Sequence, residues 1–149
     1  MRVVVSDIET EGLSNCQKLW ICGGQDLKTG EVTRFDNCHE DPVAKAEAIK
    51  WYESADLIIG HNFLSFDAVQ LNSLLKPRLI DPKKIIDTLI ISRLVNYDIQ
   101  IPKGAKNRHS LQAWGIRLGN YKGEHNDWTK FSEEMVEYWY QDIEVSHAL

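Results

Sequence analysis

No stretch of this 149-residue chain stays apolar long enough to span a bilayer, and no secretory signal opens it, so a cytoplasmic protein with no membrane partner is expected. Internal repeats and low-complexity tracts are also missing, which excludes solenoid and fibrous classes. Cysteine is scarce and poorly spaced. Cys16, Cys22 and Cys38 are odd in number and form no CxxC, which argues against both a disulfide framework and a structural zinc site; reduced thiols are predicted. The adjacent pair Cys38-His39 sits in a polar loop and reads as incidental. What remains is ordinary globular composition, 43% hydrophobic and 26% charged, suited to one domain over residues 1–149 with a sizeable core.

A net charge of −5 discourages a nucleic-acid reading until its distribution is considered. From Lys76 to Lys130 there are eleven Lys/Arg against five Asp/Glu, a balance of +6, and the remainder carries six against seventeen, or −11. An acidic site loaded with two divalent ions would gain four positive charges, and the basic segment can meet phosphates. Surface charge also fluctuates along any chain.

The acidic centre is Val3-Val4-Val5-Ser6-Asp7-Ile8-Glu9-Thr10, a short apolar strand ending in two carboxylates. Alternation along a strand points Asp7 and Glu9 the same way, leaving Val5 and Ile8 for the core. Two neighbouring acids at a buried strand end repel each other and lose hydration, an arrangement that a divalent cation relieves.

Downstream, Gly12-Leu13-Ser14-Asn15 turns the chain, and residues 18–24 and 31–35 read as strands around a polar loop, giving an antiparallel meander. Asp41-Pro42 starts a helix running to about Ser54, with Val43, Ala46, Ile49 and Tyr52 as its apolar stripe. Leu57 to Gly60 is wholly apolar, as in a parallel strand buried on both faces, and ends in His61-Asn62. Ser65 is placed to cap a helix over 66–75 that carries Asp67 in its first turn. Ile85-Ile86 is a further strand, and Asp87 reads as the cap of a helix over 89–95. A basic loop over 96–108 precedes a helix over 109–118. Ser132 begins a last helix, with Met135, Val136, Trp139 and Ile143 on an apolar arc and Glu134, Glu137, Gln141 and Glu144 on a polar one. Tyr138 and Asp142, four residues apart, share the edge of the apolar arc. The last helix is still amphipathic at Leu149, so a longer protein would continue there. The element order implies a mixed α/β sheet with its first strand central and helices on its faces.

Asp67 and Asp142 are acids in positions that need a reason, and with Asp7 and Glu9 they make four oxygen donors suited to Mg²⁺ or Mn²⁺. Asp7-Ile8-Glu9-Thr10, Asn62 to Phe66-Asp67, and Tyr138-x-x-x-Asp142 resemble, in order, the three motifs of the DnaQ-like 3′→5′ exonucleases in the version with Tyr in the third motif. The resemblance is closest to the proofreading domains of phage-type family A DNA polymerases.

That resemblance implies a ribonuclease H-like fold, a bacterial or phage-infected cell, and release of nucleoside 5′-monophosphates from a single-stranded or frayed DNA 3′ end. It implies that Asp7, Glu9 and Asp142 bind one metal, that Asp7 bridges to a second held by Asp67, and that Tyr138 orients the attacking water. Two ions about 4 Å apart serve such phosphoryl displacements. Thr10, Leu13, His61, Asn62 and Phe66 would hold the terminal nucleotide, with Leu13 equally readable as a turn hydrophobe. His147 follows Asp142 rather than preceding it and is read as structural or exposed. Lys103, Lys106 and Arg108 would grip the single strand, or else form a solvated loop. A monomer, alone or joined to a polymerase domain or subunit, is expected. An RNA exonuclease resembling ribonuclease D and a non-catalytic nucleic-acid-binding module are the alternatives.

Overall fold

The computed structural model describes residues 1–121 and 123–149; Lys122, counted above with the basic segment, lies outside them. In chain order the elements are β1 (Val3–Ser6), β2 (Glu9–Thr10), β3 (Leu19–Asp26), β4 (Val32–Asp36), α1 (Pro42–Glu53), β5 (Leu57–Gly60), α2 (Asp67–Leu74), β6 (Ile85–Asp87), α3 (Thr88–Val95), α4 (Leu111–Arg117) and α5 (Glu133–Ala148), with a 3₁₀ turn at Pro82–Lys84 before β6. Strand and helix limits differ from expectation by one or two residues at several ends.

The six strands form one mixed sheet with β1 inside it, antiparallel to β3 and parallel to β5, which pairs in parallel with β6. β4 runs along the other edge of β3. β1 pairs with residues 24–26 of β3 and β2 with Leu19 and Ile21, so the two short strands follow one edge of β3 with Asp7 and Ile8 as the break between them. The backbone at Gly24 approaches β1 so closely that a Cβ there would lie 1.8 Å from the Val5 carbonyl oxygen. Only glycine fits.

Two apolar clusters hold helices to the sheet, and β3 contributes to both. Val4, Leu19, Cys22, Ile58 and Phe63 pack with Trp51 and Tyr52 of α1 and Leu71 of α2. Trp20 and Ile21 pack with Met135, Val136, Trp139 and Ile143 of α5. With mixed connectivity and helices against the sheet, the architecture is ribonuclease H-like.

Three local expectations are corrected. The buried face of α1 is Ala48, Trp51 and Tyr52, whereas Val43 is 65% exposed and Ala46 also faces solvent. Amphipathic Trp51 and Tyr52 outweigh the smaller aliphatics because they bury more area, and the Tyr52 hydroxyl is satisfied by the Gly23 N–H and by Ser6. Ser65 does not cap α2; the N-cap position is Phe66, with no side-chain cap, and the preceding turn supplies acceptors through Asn62 and Phe63 carbonyls. Gln141 is buried rather than on a polar face, and its Nε2 reaches the Gly123 carbonyl at 3.5 Å. The Asp41 and Asp87 caps stand as expected, each carboxylate accepting from a main-chain N–H of its helix. All three cysteines are free and buried.

Candidate active site

The break between β1 and β2 creates the site. Leaving the ladder after Ser6 and rejoining it at Glu9 sets Asp7 and Glu9 beside α5, where Asp142 faces them. One carboxylate oxygen from each of Asp7, Glu9 and Asp142 lies within 4.8 Å of the others. Asp67, in the first turn of α2, accepts from the Ile8 N–H at 3.2 Å, which brings the fourth acid against the same break. Asp67 is fully enclosed, Glu9 is buried, and Asp7 and Asp142 are half-buried.

Burial is the first influence on all four acids. It pushes the Asp7 carboxyl up to about 7, with the Ile8 N–H opposing. Glu9 is held well above the usual carboxylate range by burial and then by the charges of Asp7, Asp142 and Asp67. Asp67 and Asp142 are raised by burial and by Asp7, and a hydrogen bond from Tyr138 opposes the rise at Asp142. Such a group is costly without a counter-charge. Glu9 Oε1 is the telling atom: it is buried and, among the described residues, has no hydrogen-bond partner. A hard divalent cation fits this all-oxygen donor set and would satisfy that atom.

α5 fastens to the acids at two points. Trp139 Nε1 donates to the Asp7 carbonyl, and Tyr138 reaches Asp142. Burial and then the neighbouring carboxylates push the Tyr138 phenol above its usual value. It therefore stays protonated at neutral pH and can orient a water but not deprotonate one.

A cavity of about 270 Å³ opens beside the acids, lined by Ile8, Glu9, Thr10, Gly12, Leu13, Phe66 and Trp128. Leu13, 87% exposed, stands at its edge. Thr10 is buried and donates to the Gly12 carbonyl, which stiffens the turn. Trp128 is the residue that sequence reasoning missed. Its ring packs edge-on against Tyr138 and His125, and its carbonyl accepts from Trp20 Nε1, yet it lies in no motif.

His61 and Asn62 line a different cavity. The His61 ring is held by Thr88 Oγ1 and by the His109 carbonyl, and burial lowers its pKa. Of the basic loop, Lys106 shares a cavity wall with Tyr138, Arg108 donates to the Tyr97 carbonyl at 3.3 Å, and Lys103 is exposed. His147 is exposed on the last turn of α5.

No protein-family model matches the chain. The chain is 30% identical over 183 residues to the DNA-directed DNA polymerase of Escherichia phage T7, and 30% identical over 183 residues to that of Enterobacteria phage T3. Each comparison covers 99% of this chain and 26% of the relative, so the chain spans about a quarter of the length of these curated relatives. Among solved structures, the family B DNA polymerase of the hyperthermophilic archaeon Pyrobaculum calidifontis shares the fold, with a TM-score of 0.70 at 15% identity over 98% of this chain and 23% of that one. The chain is thus homologous to a segment of DNA polymerases. Among the described residues no helix is long and apolar enough to cross a membrane.

Proposed function

We propose that this polymerase-related chain is a metal-dependent 3′→5′ exonuclease of the proofreading kind, acting on the 3′ end of single-stranded or frayed DNA. The observation that carries the reading is the convergence of Asp7, Glu9 and Asp142 within 4.8 Å around a buried, unpartnered Glu9 oxygen. Asp7, Glu9 and Asp142 would hold one Mg²⁺ or Mn²⁺, and Asp67 would hold a second together with Asp7. When bound, such ions supply the charge that makes water nucleophilic at neutral pH and that offsets charge on the departing oxygen.

The chain's own residues do the rest. Tyr138, kept protonated, donates its hydroxyl toward Asp142 and has a lone pair left to align a water. Leu13, Phe66 and Trp128 offer apolar and aromatic faces to an unpaired base, contacts that are tolerant of sequence because every base presents a π-face. Thr10 fixes the turn that sets Leu13 at the cavity edge. A cavity of about 270 Å³ beside the acids would take the unpaired base of a frayed 3′ end.

The decisive assay is release of nucleoside 5′-monophosphate from a 3′-labelled single strand with and without Mg²⁺. Metal-dependent release from the 3′ end is expected, and a matched RNA oligomer measures the preference for deoxyribose. Absence of release with Mg²⁺, and with Mn²⁺ in its place, would overturn the reading.

A further inference from the structure

Residues 11–18, the loop that joins β2 to β3, are tied in three places. The root is the pairing of Thr10 with Leu19. Next, one oxygen of the Glu11 carboxylate accepts from the Gln17 N–H at 2.6 Å and from the Lys18 N–H at 3.2 Å, so a single side chain joins the outgoing and returning arms of the loop. Hydrogen bonds from main-chain N–H groups to a carboxylate are of the strong, charge-assisted kind.

The third tie lies inside the loop. The Cys16 thiol, 3% exposed, lies 3.2 Å from the Gly12 carbonyl oxygen and 3.5 Å from Thr10 Oγ1, while the Thr10 hydroxyl donates to that same carbonyl at 2.7 Å. Thiol, hydroxyl and carbonyl form a closed triangle across the turn. Thr10 has spent its one proton on Gly12 and can only accept from the thiol, so the proton that completes the triangle is the one on sulfur. Asn15, between this tie and the tip, takes a left-handed φ of 51°, a conformation asparagine tolerates.

Nothing at the tip offsets this ordering. Leu13, Ser14 and Asn15 are exposed, and of residues 11–18 only Cys16 is buried. Fixing backbone that buries so little costs conformational entropy. What the ties achieve is placement: Gly12 and Leu13 line the cavity beside Glu9, together with Phe66 and Trp128.

We infer that Glu11 and Cys16 are positioning residues for substrate, which hold Leu13 as a fixed apolar face at the cavity mouth and act on the terminal base of the strand only through it. The inference rests on the exonuclease reading for which nucleotide fills the cavity. A loose Leu13 would have to be ordered by each incoming base, and that loss of freedom would weaken binding; the ties complete the ordering beforehand.

Two single strands test it, one with an intact 3′-terminal nucleotide and one with an abasic 3′-terminal residue, each titrated by fluorescence anisotropy in Ca²⁺ to suppress cleavage. The ratio of their affinities reads the contact with the base. Wild type should favour the intact strand about tenfold, and Cys16→Ala only about twofold, with Cys16→Ser, which keeps a donor in the same place, restoring the ratio. Glu11→Ala should lower the ratio as well, and Glu11→Gln, which keeps an acceptor oxygen, should lower it less; this pair carries the test if Cys16→Ala does not fold. Leu13→Ala should reduce the ratio as far as Cys16→Ala does, and combining the two should reduce it no further. A purely structural Cys16 would weaken both strands alike and leave the ratio untouched. That result, additive losses in the double variant, or a wild type indifferent to the abasic end would overturn the inference. Because the readout is binding, it stands apart from the hydrolysis assay: a chain that released no monophosphate yet showed the Cys16-dependent ratio would keep this role for the loop and lose the exonuclease.

Discussion

Trp139 Nε1 donates a hydrogen bond to the main-chain carbonyl of Asp7 at 2.9 Å, joining residues 132 positions apart. Asp7 lies where β1 has ended and β2 has not begun, so its carbonyl has no strand partner to rely on. The indole supplies that partner and fixes the register of α5 against the sheet. One turn of the helix later comes Asp142, whose carboxylate must face Asp7 within a few ångströms.

Trp139→Phe should therefore keep most of the buried apolar surface and orphan the Asp7 carbonyl. A loss of about 1–3 kcal/mol in stability is expected, with a fall in the hydrolysis rate larger than stability alone explains. Urea denaturation read beside initial rates checks this. Equal rates in both proteins would show that Trp139 does not position the acids.

Asp7→Asn tests the metal site and the charge balance together. Hydrolysis should fall by more than about 10³-fold, since the ligand shared by both ions is lost. The folded Asp7 carboxyl is pushed up to about 7 against an ordinary 3.8 in the unfolded chain. Between about pH 4 and pH 7 the folded form thus holds a proton that the unfolded form has released, and stability falls as pH rises through that window. Without divalent metal, wild type should melt lower at pH 8 than at pH 5, and Asn at position 7 should remove much of that difference. Mg²⁺ should raise the melting temperature more at pH 8 than at pH 5. A metal-free wild type that grew more stable across the window than the variant would contradict the sign.

Tyr138→Phe separates the phenol from the acids. If Tyr138 orients water, its loss should cost about 10²–10³-fold in rate, as expected for one positioned hydrogen bond. Mn²⁺ affinity by calorimetry should be retained, because Phe removes no carboxylate. Weakened Mn²⁺ binding would assign Tyr138 to the metal site instead.

Neutralising Lys103, Lys106 and Arg108 together should raise KM and leave kcat in place. For three phosphate contacts with a single strand, the slope of log affinity against log salt should fall by about 2. Single-stranded DNA titrated at several salt concentrations measures it. Unchanged slopes would mean that this exposed loop is only solvated.

Much of this arrangement is legible in the sequence because its signals are local. Asp41-Pro42 announces α1, Leu57 to Gly60 announces a buried parallel strand, and Asp87-Thr88 announces α3. The acids of the site sit at strand ends and helix turns whose type the flanking residues reveal. Other features depend on distant chain segments. Trp128 joins Leu13 and Phe66 only through its packing on α5 and Trp20, and no spacing rule relates those positions. The α1 stripe misleads in part: Tyr52 is core as expected, but an apolar wheel counts Val43 and Ala46 as core and omits Trp51, whose large ring is buried. Separation of His61 and Asn62 from the Leu13 cavity is set by Asp87, which draws their loop toward α3.

The interruption of the sheet at Asp7-Ile8 has a price in regularity that doubles as a connection. A strand running unbroken from Val3 to Thr10 would spend the Ile8 N–H on its neighbour; released from the ladder, that N–H instead reaches Asp67 on α2. The defect is what links two acids from different elements. Sequence changes that tidy this strand, by favouring continuous pairing, should therefore make a sturdier sheet and a poorer site, so stability selection alone would steer the chain away from its own chemistry.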